Sequence, residues 1–437
     1  MASALKKLSK IYQQTTLPND VDLIKLAARL RPDEAAMRKK AEAFLAEINR
    51  ALASAGLKAS AQLGGSFAKG TFLVGDHDVD VFVRFDRSYP NEALSDLLAS
   101  ALKGFRPSRV HGSRDYFKIR SKGLNYEIVP VYALEKVADI VNIMDASPFH
   151  VAWFKRRCAV QPALADQIRL IKAFLKANGL YGAESWIRGF SGHLVDILAA
   201  YYGSFEALLR AAANWTPKIV IDIENAHKGK ALEVLNPSKT EGPLIVVDPI
   251  QAKRNAAAAL SEEKFNAFVA LARAWLAHPS EKFFKPKPFS LTALRASARS
   301  QGKALLLLTA RPRKDSEDIM GAGLLRSWKH IKEKLEEHDF KVLDAGFDWS
   351  RKPGPALFWF VLETAELEAE RIVRGPPLAN KVAVQRFKAA HAQSFEREGR
   401  VLAKVRRRFT KAQELVAHLA KESELLKKKL RSLRVKR

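Results

Sequence analysis

The sequence predicts a multidomain α+β chain: a mixed sheet with helices at the amino end, a helical segment, a second small α+β region and a basic tail. Three observations carry the prediction. The 437 residues exceed what one hydrophobic core holds and correspond to about three or four domains. Strand and helix patterns mix up to Ser147-Pro148, after which helical periodicity takes over. Finally, 74 Lys and Arg against 47 Asp and Glu leave a net charge of +27, concentrated at the carboxyl end.

Residues 33–54, DEAAMRKKAEAFLAEINRALAS, follow Arg31-Pro32 and stop before Gly56, with acids in the first turn and apolar residues at helical spacing. The strand ASAQL, a GGS turn and the strand DVDVFVRF come next. A helical stretch near NEALSDLLASALKGF then precedes two more strands, DYFKIR and NYEIVPVY, closing a first domain over 1–150. LADQIRLIKAFLKANG sets Leu164, Ile168, Ile171 and Leu175 on one face, with Arg169, Lys172 and Lys176 in a stripe beside it and Gly179 to cap the end. SGHLVDILAAYYG and SEEKFNAFVALARAWLAHP continue this helical region, 151–280, around the strand-like PLIVVDP. EKFFKPKPF, 281–289, has the charge and prolines of a linker. KALLLLTA, LLRSWKHIKEKLEEH, FKVLDAGF and ALFWFVLETA outline the second α+β region, 281–375. Residues 376–437 form the basic tail. From Arg400 to Arg437 it carries 14 Lys and Arg against three Glu, with helical periodicity and few turn signals after Thr410. Such a face is either solvated surface or a grip on RNA phosphates, for which Arg406, Arg407, Arg408, Lys427, Lys428 and Lys429 are the candidates.

Composition narrows the function. The basic excess favours a polyanionic partner through counterion release. No run approaches 18 apolar residues, and the opening MASALKKLSKIYQQ lacks the apolar core of a signal peptide, so a cytoplasmic location and no membrane partner are expected. A single cysteine, Cys158, excludes an internal disulfide and a cysteine-based zinc site. Oligomeric state, a homodimer included, is not legible at this level.

The strand DVDVFVRF carries two acids where apolar residues belong. Alternation sends Val79, Val81 and Val83 to one face and Asp78 and Asp80 to the other, where the carboxylates repel unless a cation lies between them. A hard divalent ion such as Mg²⁺ suits them. A charged strand edge is the bland alternative. Glu127, in LNYEIVPVY, is an equally unexpected strand acid and the candidate for a third ligand. Its own bland alternative is an edge or ion-pairing role. Just upstream, GGSFAKGT supplies glycines, Gly65 among them, that let backbone N–H groups approach phosphates, together with Ser66, Lys69 and Thr71.

GSFAKGTFLVGDHDVDVF resembles the signature of nucleotidyltransferases related to DNA polymerase beta. With SPFH (147–150), RLIKAFLKANGLYGAES (169–185), IRGFSGHL (187–194), VVDPIQAKRN (246–255) and FFKPKP (283–288), the set is similar to the archaeal, class I, CCA-adding tRNA nucleotidyltransferases. The resemblance implies a nucleotidyltransferase head, a helical neck, a body and a tail that grips the acceptor stem. It implies two Mg²⁺ ions on Asp78, Asp80 and Glu127, and triphosphate contacts from Ser66, Lys69, Lys172 and Tyr181. It also implies base reading by Arg254 and a place for His150 near the nucleotide. The implied reaction is attack of the 3′-OH of tRNA on the α-phosphate of CTP or ATP, releasing pyrophosphate. Three departures stand out: the third acid is usually Asp, Gln251 replaces an acid after the DP pair, and Ala256 to Ala259 replace a stretch that commonly holds valine and asparagine. Two alternatives share the carboxylates: a poly(A) or oligoadenylate polymerase, and a tRNA-binding relative impaired through Glu127.

Overall fold

Alternation in DVDVFVRF builds the strand around which the first sheet is organised. The computed structural model describes residues 21–350 and 352–436, so MASALKKLSKIYQQ lies outside the described residues. A first compact unit ends at Lys287 and a second begins at Pro288.

In the first unit, α1 (Leu23–Leu30) and α2 (Glu34–Ser54) precede β1 (Ala59–Leu63), α3 (Gly65–Lys69) and β2 (Asp78–Phe85). Next come α4 (Leu94–Ala101), β3 (Ser108–Val110), β4 (Tyr116–Ser121) and β5 (Leu124–Tyr132). The sheet order is β1-β2-β5-β4-β3, with β2 and β5 parallel and the other pairs antiparallel. Asp33 caps α2 by accepting the Ala36 amide at 3.1 Å. Phe44, Ile48 and Leu52 of α2 pack, fully buried, on Val79, Val81, Val83 and Ile128. At about 1.5–3 kcal/mol for each large apolar side chain, that burial anchors the helix to one face of the sheet. The opposite face carries Asp80 and Phe82 from β2, Glu127 and Val129 from β5, and Tyr116 and Lys118 from β4. Two details differ from expectation. The GGS turn runs directly into the short helix α3, and β3 is an added edge strand of three residues.

The helical region of this unit comprises α5 (Ser147–Val160), α6 (Leu164–Ala177), α7 (Gly192–Tyr202), α8 (Phe205–Ala212) and α9 (Glu262–Ala277). Ser191, Ser204 and Ser261 cap α7, α8 and α9 through their hydroxyls. Phe174, Phe190, Phe205, Phe265 and Trp275 fill the core between them. A parallel strand pair, β6 (Ile219–Ile221) and β7 (Leu244–Val246), carries the VVDP segment.

In the second unit, α10 (Leu291–Ser300), β8 (Ala304–Pro312), α11 (Glu317–Glu337), β9 (Val342–Asp348) and β10 (Ala356–Leu362) are followed by β11 (Glu370–Pro377), α12 (Lys381–Ala390), β12 (Ser394–Arg397) and β13 (Arg400–Arg406). The chain ends with α13 (Ala412–Glu422), α14 (Glu424–Lys429) and β14 (Leu430–Val435). One sheet has the order β14-β8-β10-β9 and the other β11-β13-β12. The helical reading of residues 400–437 therefore needs correction. Glu398 and Gly399, both at positive φ, turn a tight hairpin that pairs Arg397 with Arg400, and Val401 and Ala403 alternate inward as strand residues do. At the far end, β14 pairs with β8, a partner more than 100 residues away that no local pattern announces. Among the described residues no helix is long and apolar enough to cross a membrane.

Candidate active site

The register of the first sheet lines up the strand acids. Asp80 lies opposite Glu127, and Asp78 opposite Asn125, whose amide donates to Asp78 Oδ1 at 3.0 Å. Gly65 comes down onto this row so closely that a Cβ there would sit 1.6 Å from Asp80 Oδ2. Its φ of +51° is also one that a side chain resists. Burial first, then the charge of Glu127, pushes the Asp80 carboxyl up to about 6, against the pull of Lys69. Hard carboxylate oxygens, crowded and mutually repelling on one sheet face, are the donor set that a divalent ion satisfies. A pocket of about 220 Å³ opens over the row, lined among others by Gly65, Lys69, Asp80, Glu127, His150 and His193.

Of the residues assigned to the triphosphate, Lys69 lines that pocket and Ser66, Lys172 and Tyr181 do not. Ser66 lies in the first turn of α3, half-buried. Lys69 ends α3 and is part-buried, its ammonium 2.7 Å from Asp196 Oδ2 and 5.8 Å from the Phe154 ring centroid. Lys172 is deeper still, donating to the Thr71 carbonyl at 3.1 Å and hydroxyl at 3.3 Å, and burial pushes its ammonium down to about 8. Arg169 and Lys172 of the α6 stripe thus form an internal clamp, while Lys176 stays exposed. Arg169 donates to the Phe72 and Gly70 carbonyls, and Lys176 reaches Asp76 at 2.7 Å. Tyr181 stacks under Lys176, 5.4 Å from its ammonium, with its hydroxyl toward Gly192 at the start of α7. Burial, then the charge of Asp196, raises that hydroxyl's pKa.

A second focus is Asp248, at the end of VVDP. His150 Nε2 approaches its carboxylate at 2.9 Å, His193 Nε2 at 3.2 Å and Arg254 Nη1 at 3.1 Å, and the Ile250 and Gln251 amides donate to Oδ1. Burial would raise the Asp248 pKa, but the two histidine hydrogen bonds outweigh it and hold the carboxyl far below its ordinary value. Burial pushes His150 down to about 4, so the ring is neutral at pH 7 and donates through Nε2. His150, His193 and Asp248 bring ligand-type atoms within 4.8 Å of one another. With five donors already on the carboxylate, one a guanidinium, the cluster is chemically a hydrogen-bonded hub. Arg254 extends from it into a cleft of about 550 Å³, lined also by Val141, Ile143, Ser191, Gln251, Lys253, Ala256, Ala258 and Ala259.

Sequence reasoning did not single out Asp248, His193, Asp196 or Lys118. A buried acid at the end of an apolar strand was the available signal for Asp248, of the same kind as the DVD pair. His193 and Asp196 sit on a helix whose polarity pattern marks neither. In the second unit, Arg406, Arg407 and Arg408 border a cleft of about 210 Å³ with Glu337, Asp339, Arg371 and Phe409. Asp339 holds Arg371 at 3.0 Å and also Arg407, while Arg408 stacks on Phe409 at 5.2 Å. Lys427 and Lys428 are exposed in the last turn of α14; Lys429 is half-buried.

Three family models match the chain: the nucleotidyltransferase domain over residues 45–150, the second domain of tRNA nucleotidyltransferases over 166–285, and the C-terminal domain of CCA-adding enzymes over 301–434. A CCA-adding enzyme of Methanoregula boonei is 33% identical over 409 residues, covering 90% of this chain and 85% of that protein. One of Nanoarchaeum equitans is 31% identical over 353 residues, covering 80% and 84%. Among solved structures, the Cid1 poly(U) polymerase superposes with a TM-score of 0.50 at 12% identity, over 61% of this chain and 98% of that one, a likeness of fold.

Proposed function

This chain belongs to the CCA-adding enzyme family of tRNA nucleotidyltransferases, and from that premise we propose how its own residues serve the addition of C, C and A to tRNA. The single observation that carries the reading is the in-register juxtaposition of Asp80 and Glu127, with Asp78 two residues along the same strand. The family uses divalent metal; here two Mg²⁺ ions would be held by Asp78, Asp80 and Glu127. When bound, they neutralise the phosphates and make the attacking 3′-OH a better nucleophile.

The remaining work falls to the protein. Gly65 keeps the carboxylates within reach of the loop that receives the triphosphate, and Ser66 offers a hydroxyl donor beside it. Lys69, fixed by Asp196, keeps a positive charge at the pocket wall. Lys172 and Arg169 act from beneath, holding the 70–72 carbonyls and thereby the loop. Such positioning is what phosphoryl transfer chiefly asks of a protein. On the other side Asp248 aims Arg254 into its cleft, where a planar two-pronged donor suits the edge of a base. His150, neutral and pinned, gives the nucleotide a fixed wall. We assign residues 1–150 to the head and the rest of the first unit, up to Lys287, to the neck. The second unit supplies body and tail together, since β11 crosses the expected boundary at 375 and β14 returns to β8, and the substrate is cytoplasmic tRNA. Arg406, Arg408, Lys427 and Lys428 are the exposed tail cations for its backbone.

The oligoadenylate alternative gives way to the CCA-adding C-terminal match over 301–434. The deciding experiment incubates tRNA ending at the discriminator base with labelled CTP and ATP in turn. Addition of C, C and A is expected in the wild type and none in Asp80→Ala, whose tRNA affinity stays near wild type. Incorporation by Asp80→Ala at the wild-type rate would overturn the assignment of the carboxylates.

A further inference from the structure

The row of acids on the sheet continues into a base. On β4, Lys118 lies directly across from Glu127, just as Asp80 lies across from it on β2, so Lys118, Glu127 and Asp80 stand side by side on one face. The Lys118 ammonium is 2.7 Å from Glu127 Oε1, with the lysine side chain half-exposed and the Tyr116 ring centroid 5.9 Å from Nζ. Nearby lysines are committed elsewhere: Lys69 to Asp196, Lys172 to Thr71 and Lys176 to Asp76. A half-exposed ion pair adds little to stability. Its effect is electrostatic: an ammonium and a divalent cation compete for the same carboxylate, and the extra methylene of Glu over Asp gives that carboxylate the reach to touch the lysine.

We propose that Lys118 is a positioning residue that holds Glu127 and sets the divalent-ion affinity of the site, the ion having to share or displace its contact. The proposal rests on the reading of Glu127 as a metal ligand. Removing one positive charge from beside a carboxylate that would hold a divalent ion, in a water-like dielectric, tightens binding on the order of tenfold.

The test is direct Mn²⁺ titration followed by electron paramagnetic resonance, on the full chain without nucleotide or tRNA, with Asp80→Ala as the background. Lys118→Met is expected to bind Mn²⁺ about tenfold more tightly than wild type, and Lys118→Arg, which keeps the charge, close to wild type. Glu127→Gln is expected to bind more weakly, and the double variant to lose the gain of Lys118→Met. Unchanged or weaker Mn²⁺ binding in a Lys118→Met variant that melts like wild type overturns the proposal. If Glu127→Gln matches wild type, the reading of Glu127 as a ligand is what fails. A gain that survives in the double variant overturns the route through Glu127. Should Lys118→Met fail to fold, Lys118→Gln carries the same expectations.

Discussion

Replacing Gly65 by alanine tests how tightly the loop and the carboxylates are built around each other. A Cβ at this position would lie 1.6 Å from Asp80 Oδ2 and 2.5 Å from its Cγ, whereas real contacts begin at about 3.0 Å. The Asp80 carboxylate, or the loop, must therefore move by about 1.4 Å. Misplacement of a reacting group by about 1 Å costs on the order of 10²-fold, so kcat should fall by about 100-fold or more. The φ of +51° adds about 1 kcal/mol of backbone strain, which lowers the melting temperature by about 2–4 °C. Gly75→Ala separates the two effects: its φ is +84°, but no atom lies within 4 Å of a Cβ there, so it carries strain without collision. The assay is single-nucleotide addition of labelled CTP to tRNA ending at the discriminator base, beside thermal melting of each variant. Gly75→Ala should melt lower and turn over normally. A folded Gly65→Ala enzyme within threefold of the wild-type kcat would refute the claim that this contact sets the carboxylate geometry.

Glu127→Gln should lower turnover far more than nucleotide affinity, while Glu127→Asp should be tolerated or faster; steady-state kinetics with CTP reads both, and an undiminished Gln variant would mark an edge-strand role. Arg406→Glu with Lys428→Glu, both exposed, should spare the melting temperature, weaken tRNA binding and flatten its log–log salt dependence by about 0.7–0.9 per lost contact, measured by filter binding across a salt series. Burial holds folded His150 near 4 against about 6.5 in the unfolded chain, so between those values the unfolded state takes up a proton that the folded state refuses. His150 therefore costs the fold up to about 3 kcal/mol as pH falls through that window. Asp80, raised to about 6, acts in the opposite sense over part of it, so the effect is read as the difference between wild type and His150→Gln in pH-dependent melting.

What was legible in the sequence followed from local period. Alternation in DVDVFV put Val79, Val81 and Val83 in the core and the acids on the other face, and the same reasoning picked Glu127 from NYEIVPVY. Helix α2 could be read from Pro32, its first-turn acid and its apolar spacing because caps and stripes are short-range signals. Pairings across long separations were hidden. Nothing within a few residues of His150 indicates that its partner is Asp248, 98 positions on, or that Lys69 will meet Asp196. The stripe of Arg169, Lys172 and Lys176 was visible, but its partners were not, because Arg169 and Lys172 turn to backbone carbonyls, which every residue has, and Lys176 to Asp76, 100 positions upstream. At the carboxyl end the spacing of the basic residues suggests helix, whereas VLAKVR pairs in a tight hairpin with β12 and, on its other edge, with β11.

The five donors gathered on Asp248 bear on how this chain can vary over time. They come from His150 on one helix, His193 on another, Arg254 beyond the strand and two amides of the turn. Losing the acid would orphan buried His150 and several part-buried donors at once, and losing one donor would leave part of the acid's charge unanswered. Single steps away from this arrangement are therefore steep, and change at positions 150, 193, 248 and 254 is coupled, a substitution at one being best tolerated when its partners change with it.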